Sequence, residues 1–410
     1  MKNILVAQSG GPTAAINATL AGVIREARKR SEIDRIYGAF HGVAGILEDE
    51  IVELDQTFAS EKALELLEKT PAAALGSCRL KLKASDENAD QYGKIIEIFR
   101  KYEIHYFVYI GGNDSMDTVL QLSKYCAENG IDDICVVGAP KTIDNDLCGI
   151  DHCPGFGSAA KYIASVCVEL EREIDVYDVP NVIIIEMMGR HAGWLTAAAA
   201  LAQEQSRDVP YLIYLEEIVF DTKKFIRDIR AALESSNRVI VAVSEGIHDA
   251  DGHFICEACD PDQETDAFGH KQLAGTGRVL ARLVKDEIGC KVRAIEPNLM
   301  QRCAAHILSR TDTEESKKLG QLAVSLCVEH RPGMMASLTR VSDEPYEVRY
   351  TAVPIEEVAN KEKKVPLEWI AESGNGVTEK MISYLRPLVQ GELLCEYENG
   401  IPKFLVIPKQ

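Results

Sequence analysis

Asp144 and Asp146 stand two residues apart in the run PKTIDND, Pro140–Asp146, beside Lys141 and Thr142. A carboxylate close to a hydroxyl can take its proton. A lysine can neutralise charge on a transferring phosphoryl group, and a second carboxylate can help to hold a metal. Together these are the parts that phosphoryl transfer to an alcohol requires. An Asp/Asn-rich turn without chemistry is the commoner use of such residues. Here, however, the loop follows a buried-looking apolar run at Ile134–Ala139, and two loops of phosphate-binding character precede it.

The first of these places Gly10 and Gly11 between an apolar run, Ile4–Ala7, and a helical pattern. Without a Cβ the backbone can approach an anion, and the amides of a first helical turn point at it. The second is GGNDS, Gly111–Ser115, at another strand-to-helix junction. There Asp114 can cap the helix, or it can shape a phosphate site by filling space and repelling excess negative charge. GGPTAA lacks the GxGxxG spacing of dinucleotide sites, and no GxxxxGK[ST] occurs, which argues against a nicotinamide oxidoreductase and a P-loop nucleotidase.

Positioning these loops falls to alternating strands and helices. Strands are predicted at Lys2–Gln8, Arg35–Phe40, His105–Ile110, Ile134–Ala139, Asn181–Met187, Tyr211–Tyr214, Arg238–Val243 and Lys291–Ile295. Helices are predicted at Pro12–Arg30, Ser115–Glu128, Ser158–Ile174, His191–Gln203 and Lys223–Glu234. The pattern implies an α/β fold with two doubly wound, Rossmann-like, mainly parallel sheets, and ligands at the C-terminal ends of strands in the cleft between domains. From about Val353 the rhythm breaks into a Lys-rich turn, a short helix and a strand-like run, FLVIPK, read as an extension packed on one domain.

A net charge of −19 argues against non-specific nucleic-acid binding, and the aromatics are too scattered for a base-stacking platform. The longest apolar run, Val182–Met188, is too short to cross a bilayer, and the first residues enter a strand pattern with no room for a signal peptide. Twelve irregularly spaced cysteines then read as free thiols in a reducing cytoplasm. Cys256 and Cys259 form a CxxC near His248, His253 and His270, but no second CxxC follows to complete a zinc site. His191 reads either as a cleft residue or as a helix-start packing residue.

In order along the chain stand SGG at Ser9–Gly11, GGNDS, PKTIDND, MGRHAGW at Met188–Trp194, SEG at Ser244–Gly246 and QR at Gln301–Arg302. This series resembles the phosphofructokinase family from Met1 to the mid-300s, and within it the pyrophosphate-dependent branch. The resemblance implies a donor domain of residues 1–155 plus about 300–351, a sugar-phosphate domain of 156–299 and an extension of 352–410. The implied activity is reversible transfer from pyrophosphate to the 1-hydroxyl of fructose 6-phosphate, with Mg2+, in a cytoplasmic homodimer or homotetramer. Asp144 is the implied base. Asp114 takes the place of the ATP α-phosphate, and Lys141 contacts the transferred group. Gly10, Gly11 and Arg79 are implied on the donor. Thr142, Ile143, Met188, Gly189, Arg190 and Glu245 are implied on the sugar, and Arg293 and Arg302 on its 6-phosphate, one of them across a subunit boundary.

Three positions depart from the family pattern. Asn113 replaces a metal-binding aspartate, shifting the metal towards Asp146. Asn181 replaces a substrate-binding arginine, and Leu299 replaces a histidine. An ATP-dependent enzyme of the same family is the nearest alternative, and Asp114 weighs against it. A non-catalytic sugar-phosphate-binding subunit is a further one, and the presence of Lys141, Asp144 and Arg190 weighs against that.

Overall fold

A computed structural model describes residues 2–82, 88–206, 208–258 and 273–408. Cys259 and His270 of the CxxC region lie outside the described residues. The first sheet has seven strands: β1 (Lys2–Gln8), β2 (Ile33–Ala39), β3 (Ile51–Glu53), β4 (Ile104–Gly111), β5 (Cys135–Pro140) and, from far along the chain, two strands given below. The second sheet has four, all parallel: β6 (Asn181–Met187), β7 (Tyr211–Tyr214), β8 (Arg238–Ser244) and β9 (Lys291–Ile295). The chain then returns to the first sheet with β10 (Met334–Asp343) and β11 (Tyr346–Pro354), giving the orders β11-β10-β5-β4-β1-β2-β3 and β7-β8-β6-β9. Both sheets are buried on two faces, which is why their central strands read as unbroken apolar runs such as VIIIEM.

Three sequence expectations shift. The first helix begins at Ile16, not Pro12, because Gly10, Gly11 and Pro12 stay in a loop that lines the cleft. His191 and Ala192 likewise stay in the cleft wall, and the expected helix from His191 becomes two short ones, Trp194–Ala197 and Ala199–Gln203. The extension, starting beyond β11 at Pro354, does not pack on one domain. Ile355, Val358, Ala359 and Ile407 enter the core of the first sheet, whereas Val365, Ile370, Met381, Tyr384 and Leu388 enter that of the second. The described part of the FLVIPK run, residues 404–408, forms no strand; it lies along the first domain, with Leu405 N–H donating to Thr70 Oγ1 at 2.9 Å. Antiparallel β3 and the β10–β11 hairpin at the sheet edges were not anticipated. Among the described residues every cysteine is a free thiol.

Helix Ile16–Lys29, which carries the Gly10–Gly11 loop, packs on helix Arg310–Val328 at backbone distance. A Cβ on Gly22 would stand 2.1 Å from Lys317 O, and one on Gly320 would stand 2.2 Å from Thr19 O. Neither neighbour is a movable side chain. We expect Gly320→Ala to destabilise the protein by about 1–3 kcal/mol through overpacking. Gly93→Ala, in a helix with open space around it, should be neutral or stabilising by up to about 1 kcal/mol. Urea unfolding of the two variants beside the parent checks both.

Candidate active site

Strand β1 ends in a turn whose glycines are needed for contact. Gly10 has φ +75°, and Lys141 Nζ lies 3.1 Å from where its Cβ would be. A Cβ on Gly11 would stand 2.8 Å from Arg302 Nη1. Two cations therefore rest against this backbone, and Lys141 Nζ donates to Gly11 O at 2.8 Å. Gly10 N–H is committed to Cys78 O at 3.1 Å. Gly11 is thus the one of the pair whose amide has no protein acceptor among the described residues.

Strands β4 and β5 pair in parallel register up to Gly111 and Pro140, so the GGNDS and PKTIDND loops leave the sheet side by side. Lys141 N–H donates to Gly111 O at 2.9 Å and ties them together. In the second loop, Asp144 N–H donates to Thr142 Oγ1 at 3.1 Å. Asn145 takes the left-handed conformation, φ +57°, which asparagine tolerates better than most residues. Its amide donates to Tyr384 Oη at 2.8 Å, and its carbonyl accepts from Cys153 N–H at 2.9 Å. The asparagine turn thus aims the two aspartates, while Ile143 anchors the loop in the second core.

From the other domain, β6 and β8 pair through Met187 and Ser244, bringing MGR and SEG together. Gly189 N–H donates to Glu245 Oε1 at 3.3 Å, and Ser244 Oγ donates to Gly189 O at 2.5 Å. Met188 N–H donates to Gln301 Oε1 at 3.2 Å. A Cβ on Gly246 would stand 2.0 Å from Arg190 O, so the Arg190 backbone fits only against glycine there.

These loops enclose a cleft of about 570 Å³ between the two domains. Thr142, Ile143, Asp144, Met188, Arg190 and Glu245 line it with Arg79 and Arg302. Gly11, Lys141, Asp146, Asn113 and Asp114 complete the lining, with Gly11 and Lys141 beside Arg302. A second hollow of about 310 Å³, bounded by Leu299, Gln301 and Glu296, adjoins it and shares Arg79, Arg190, Glu245 and Arg302. Arg293 does not join the site of its own chain: it is exposed on β9, at the edge of the second sheet, and lines neither hollow. Asn181 is buried at the start of β6.

Several lining residues escaped the sequence reading. Lys81 lies two residues beyond Arg79 in an extended stretch, a spacing that would have placed both on one side. Its ammonium stands 3.4 Å from Asp114 Oδ1 and 3.8 Å from Asp117 Oδ2. Asn360 and Glu362 come from the Lys-rich turn of the extension, and nothing local in the sequence marks them. Asn113 is held by the same turn: it donates to Lys361 O at 2.8 Å and accepts from Asn360 N–H at 2.7 Å. Both its polar atoms are therefore engaged by protein backbone. His191 lines the cleft.

Burial sets the charge states. It pushes Lys141 down to about 8, opposed by neighbouring Asp144. Burial also lowers Arg302, with Arg79 adding repulsion. Asp144 is raised by burial, although Lys141, Arg190 and Arg302 all favour its ionised form. Asp146 rises to about 7 through burial and the charge of Asp144, and Glu245 rises to about 8 for the same two reasons. A cleft that concentrates cations beside crowded carboxyls suits an anionic ligand. A carboxyl kept neutral by the fold but ionised in the unfolded chain gives the native state the extra proton. Its contribution to stability is lost as pH rises from the ordinary carboxyl range through its raised pKa. Glu245→Gln should therefore flatten the fall in stability of the ligand-free chain between pH 6 and pH 8 by up to about one proton's worth of slope, read from urea midpoints.

Comparison with known proteins places this arrangement. The phosphofructokinase family model matches residues 3–296. A pyrophosphate–fructose 6-phosphate 1-phosphotransferase from Xanthomonas campestris pv. campestris is 42% identical, covering 98% of this chain and 95% of its own. One from Halomonas elongata is 39% identical, with 99% and 96% covered. The crystal structure of a pyrophosphate-dependent phosphofructokinase from Nitrosospira multiformis superposes with a TM-score of 0.88 at 37% identity, covering 100% of this chain and 98% of that one. With its strand-end loops, its cleft and its full-length relatives in agreement, this chain belongs to the phosphofructokinase family.

Proposed function

We propose that the chain transfers a phosphoryl group reversibly between pyrophosphate and the 1-hydroxyl of fructose 6-phosphate, giving fructose 1,6-bisphosphate and phosphate. The observation that carries this reading is the pairing of Lys141, buried against Gly11 and beside Asp144, with Asp114 on the donor wall of the same cleft. Full-length relatives named for this activity support it.

The sugar lies along Met188–Arg190 and Glu245, its 6-phosphate towards Arg302 and the adjoining hollow, and its 1-hydroxyl at Asp144. Asp144 takes the hydroxyl proton as the new bond forms. Its raised pKa brings it nearer to neutrality than an exposed aspartate and strengthens it as a base. Lys141 and Arg79 neutralise charge on the transferring group, and the Gly11 amide offers a donor to the pyrophosphate oxygens. Asp114 keeps the far side of the donor pocket closed to the α-phosphate of ATP by volume and charge.

Mg2+ fits the donor end. Asp146 is a half-buried oxygen donor whose ionised form is disfavoured by desolvation, by Asp144 and by Glu362, and a bound cation would relieve that repulsion. Asp146 would hold the ion together with water and donor oxygens, since the amide of Asn113 serves the extension. The ion would supply charge neutralisation between the two phosphoryl groups. We further assign the chain to a cytoplasmic homodimer or homotetramer in which Arg293, exposed on an edge strand, serves the site of a neighbour.

Phosphate and product formation measured side by side with pyrophosphate and ATP tests the reading; ATP turnover without pyrophosphate turnover overturns it. Asp144→Ala should lower kcat by about 10²–10⁴ with the fold intact by circular dichroism. Asp114→Gly should shift the ratio of ATP to pyrophosphate kcat/KM towards ATP.

A further inference from the structure

Residues 360–365 run as a strap from the GGNDS helix to the catalytic loop and on to the second domain. Asn360 and Lys361 are fixed by Asn113, and the Asn360 amide donates to Asp117 Oδ1 at 3.0 Å. Glu362 bridges to Leu147, and Lys363 N–H donates to Asp146 O at 2.7 Å. Val365 N–H ends the span on Glu217 Oε1 at 2.9 Å. Asn360, a turn residue with φ +58°, and Glu362 both line the cleft. Lys363 turns the other way and donates to Ile150 O and Asp151 O at 3.1 and 2.7 Å.

The two cleft-facing side chains stand at one end only. Their neighbours are Asn113, Asp117 and Asp146, whereas Arg79, Arg190 and Arg302 are shared with the adjoining hollow. Lys81, which also lines the cleft, is already paired with Asp114 and Asp117. The Glu362 carboxylate makes no hydrogen bond or ion pair with any described residue. A linear chain of phosphoryl groups that begins at Lys141 and extends this way leaves the cationic region for a wall of carboxylates.

We propose that the strap is the end wall of the donor pocket and limits the donor to two phosphoryl groups. Asn360, clamped by Asn113 and Asp117, closes the space, and Glu362 repels a third phosphoryl group. Glu362 is on this account a specificity-determining residue, acting together with Asp114 and supplied by a segment that the family motifs do not include. The inference rests on the pyrophosphate transfer proposed above.

The test uses the full chain with fructose 6-phosphate and Mg2+, and compares pyrophosphate with inorganic tripolyphosphate as donors. Wild-type turnover of pyrophosphate is measured first; its absence sinks the proposed function and this inference with it. Given that turnover, Glu362→Gln should raise the tripolyphosphate-to-pyrophosphate ratio of kcat/KM by about tenfold at low salt, and the gain should shrink in about 0.5 M KCl because an exposed charge is screened. Combined with Asp114→Gly, it should raise the ratio beyond that of Asp114→Gly alone. A ratio left unchanged by Glu362→Gln, with pyrophosphate still turned over, overturns the end-wall assignment while leaving the proposed function standing. A raised Mg2+ requirement without a change of ratio overturns it as well, by placing Glu362 with the metal.

Discussion

Burying an ammonium is costly unless its surroundings answer its charge, and Lys141 is the place where this chain meets that cost. Its ammonium rests on the carbonyl of Gly11, with Asp144 as counter-charge and Arg302 close enough to repel it. Those neighbours come from β1, from the catalytic loop itself and from the short helix Met300–Cys303. Side chains on the glycine pair would displace the two cations that rest there, and Gly10 also holds a positive φ. A shift of any of these pieces would strand a charge. The mutual need for compensation is what holds the loops at the domain boundary in register before any ligand arrives.

That arrangement has to be braced from outside, because a loop carrying like charges at Asp144 and Asp146 tends to open. The brace is the C-terminal extension. Tyr384 bridges the Asn145 amide and the carbonyl of Asp151, accepting from the first and donating to the second at 2.9 Å. Trp194 donates from its indole to Lys363 O at 2.9 Å and packs against Trp369 and Tyr384. A segment with few regular elements thereby joins the two cores, and its side chains divide between them.

Most of the site was legible in the sequence for a local reason. A strand end followed by glycines and polar residues carries its signal within about ten residues, as in GGNDS and PKTIDND. The parallel strands were legible because burial on both faces leaves continuous β-branched runs. What escaped depends on contacts between distant segments. Asn113 looked like a weakened metal ligand until its amide was found clasping residues 360 and 361. The lining role of Glu362 and the packing of the extension on both domains come from tertiary contacts alone. The exposed position of Arg293 on the outer strand of the second sheet likewise follows from strand order, which its local sequence does not carry. The delayed helix starts after Pro12 and His191 have the same origin, since the cleft claims residues that periodicity would give to a helix.

The clasp between Asn145 and Tyr384 spans 239 positions of sequence, and that between Asn113 and Lys361 spans 248. During synthesis on a ribosome, the whole motif-bearing portion emerges long before the residues that brace it. A growing chain therefore passes through an interval in which the second sheet and strands β1 to β5 of the first can pair while the PKTIDND loop stays unbraced. On the function proposed, phosphoryl-transfer competence would come in a late step, and a chain interrupted before Asn360 would not consume pyrophosphate.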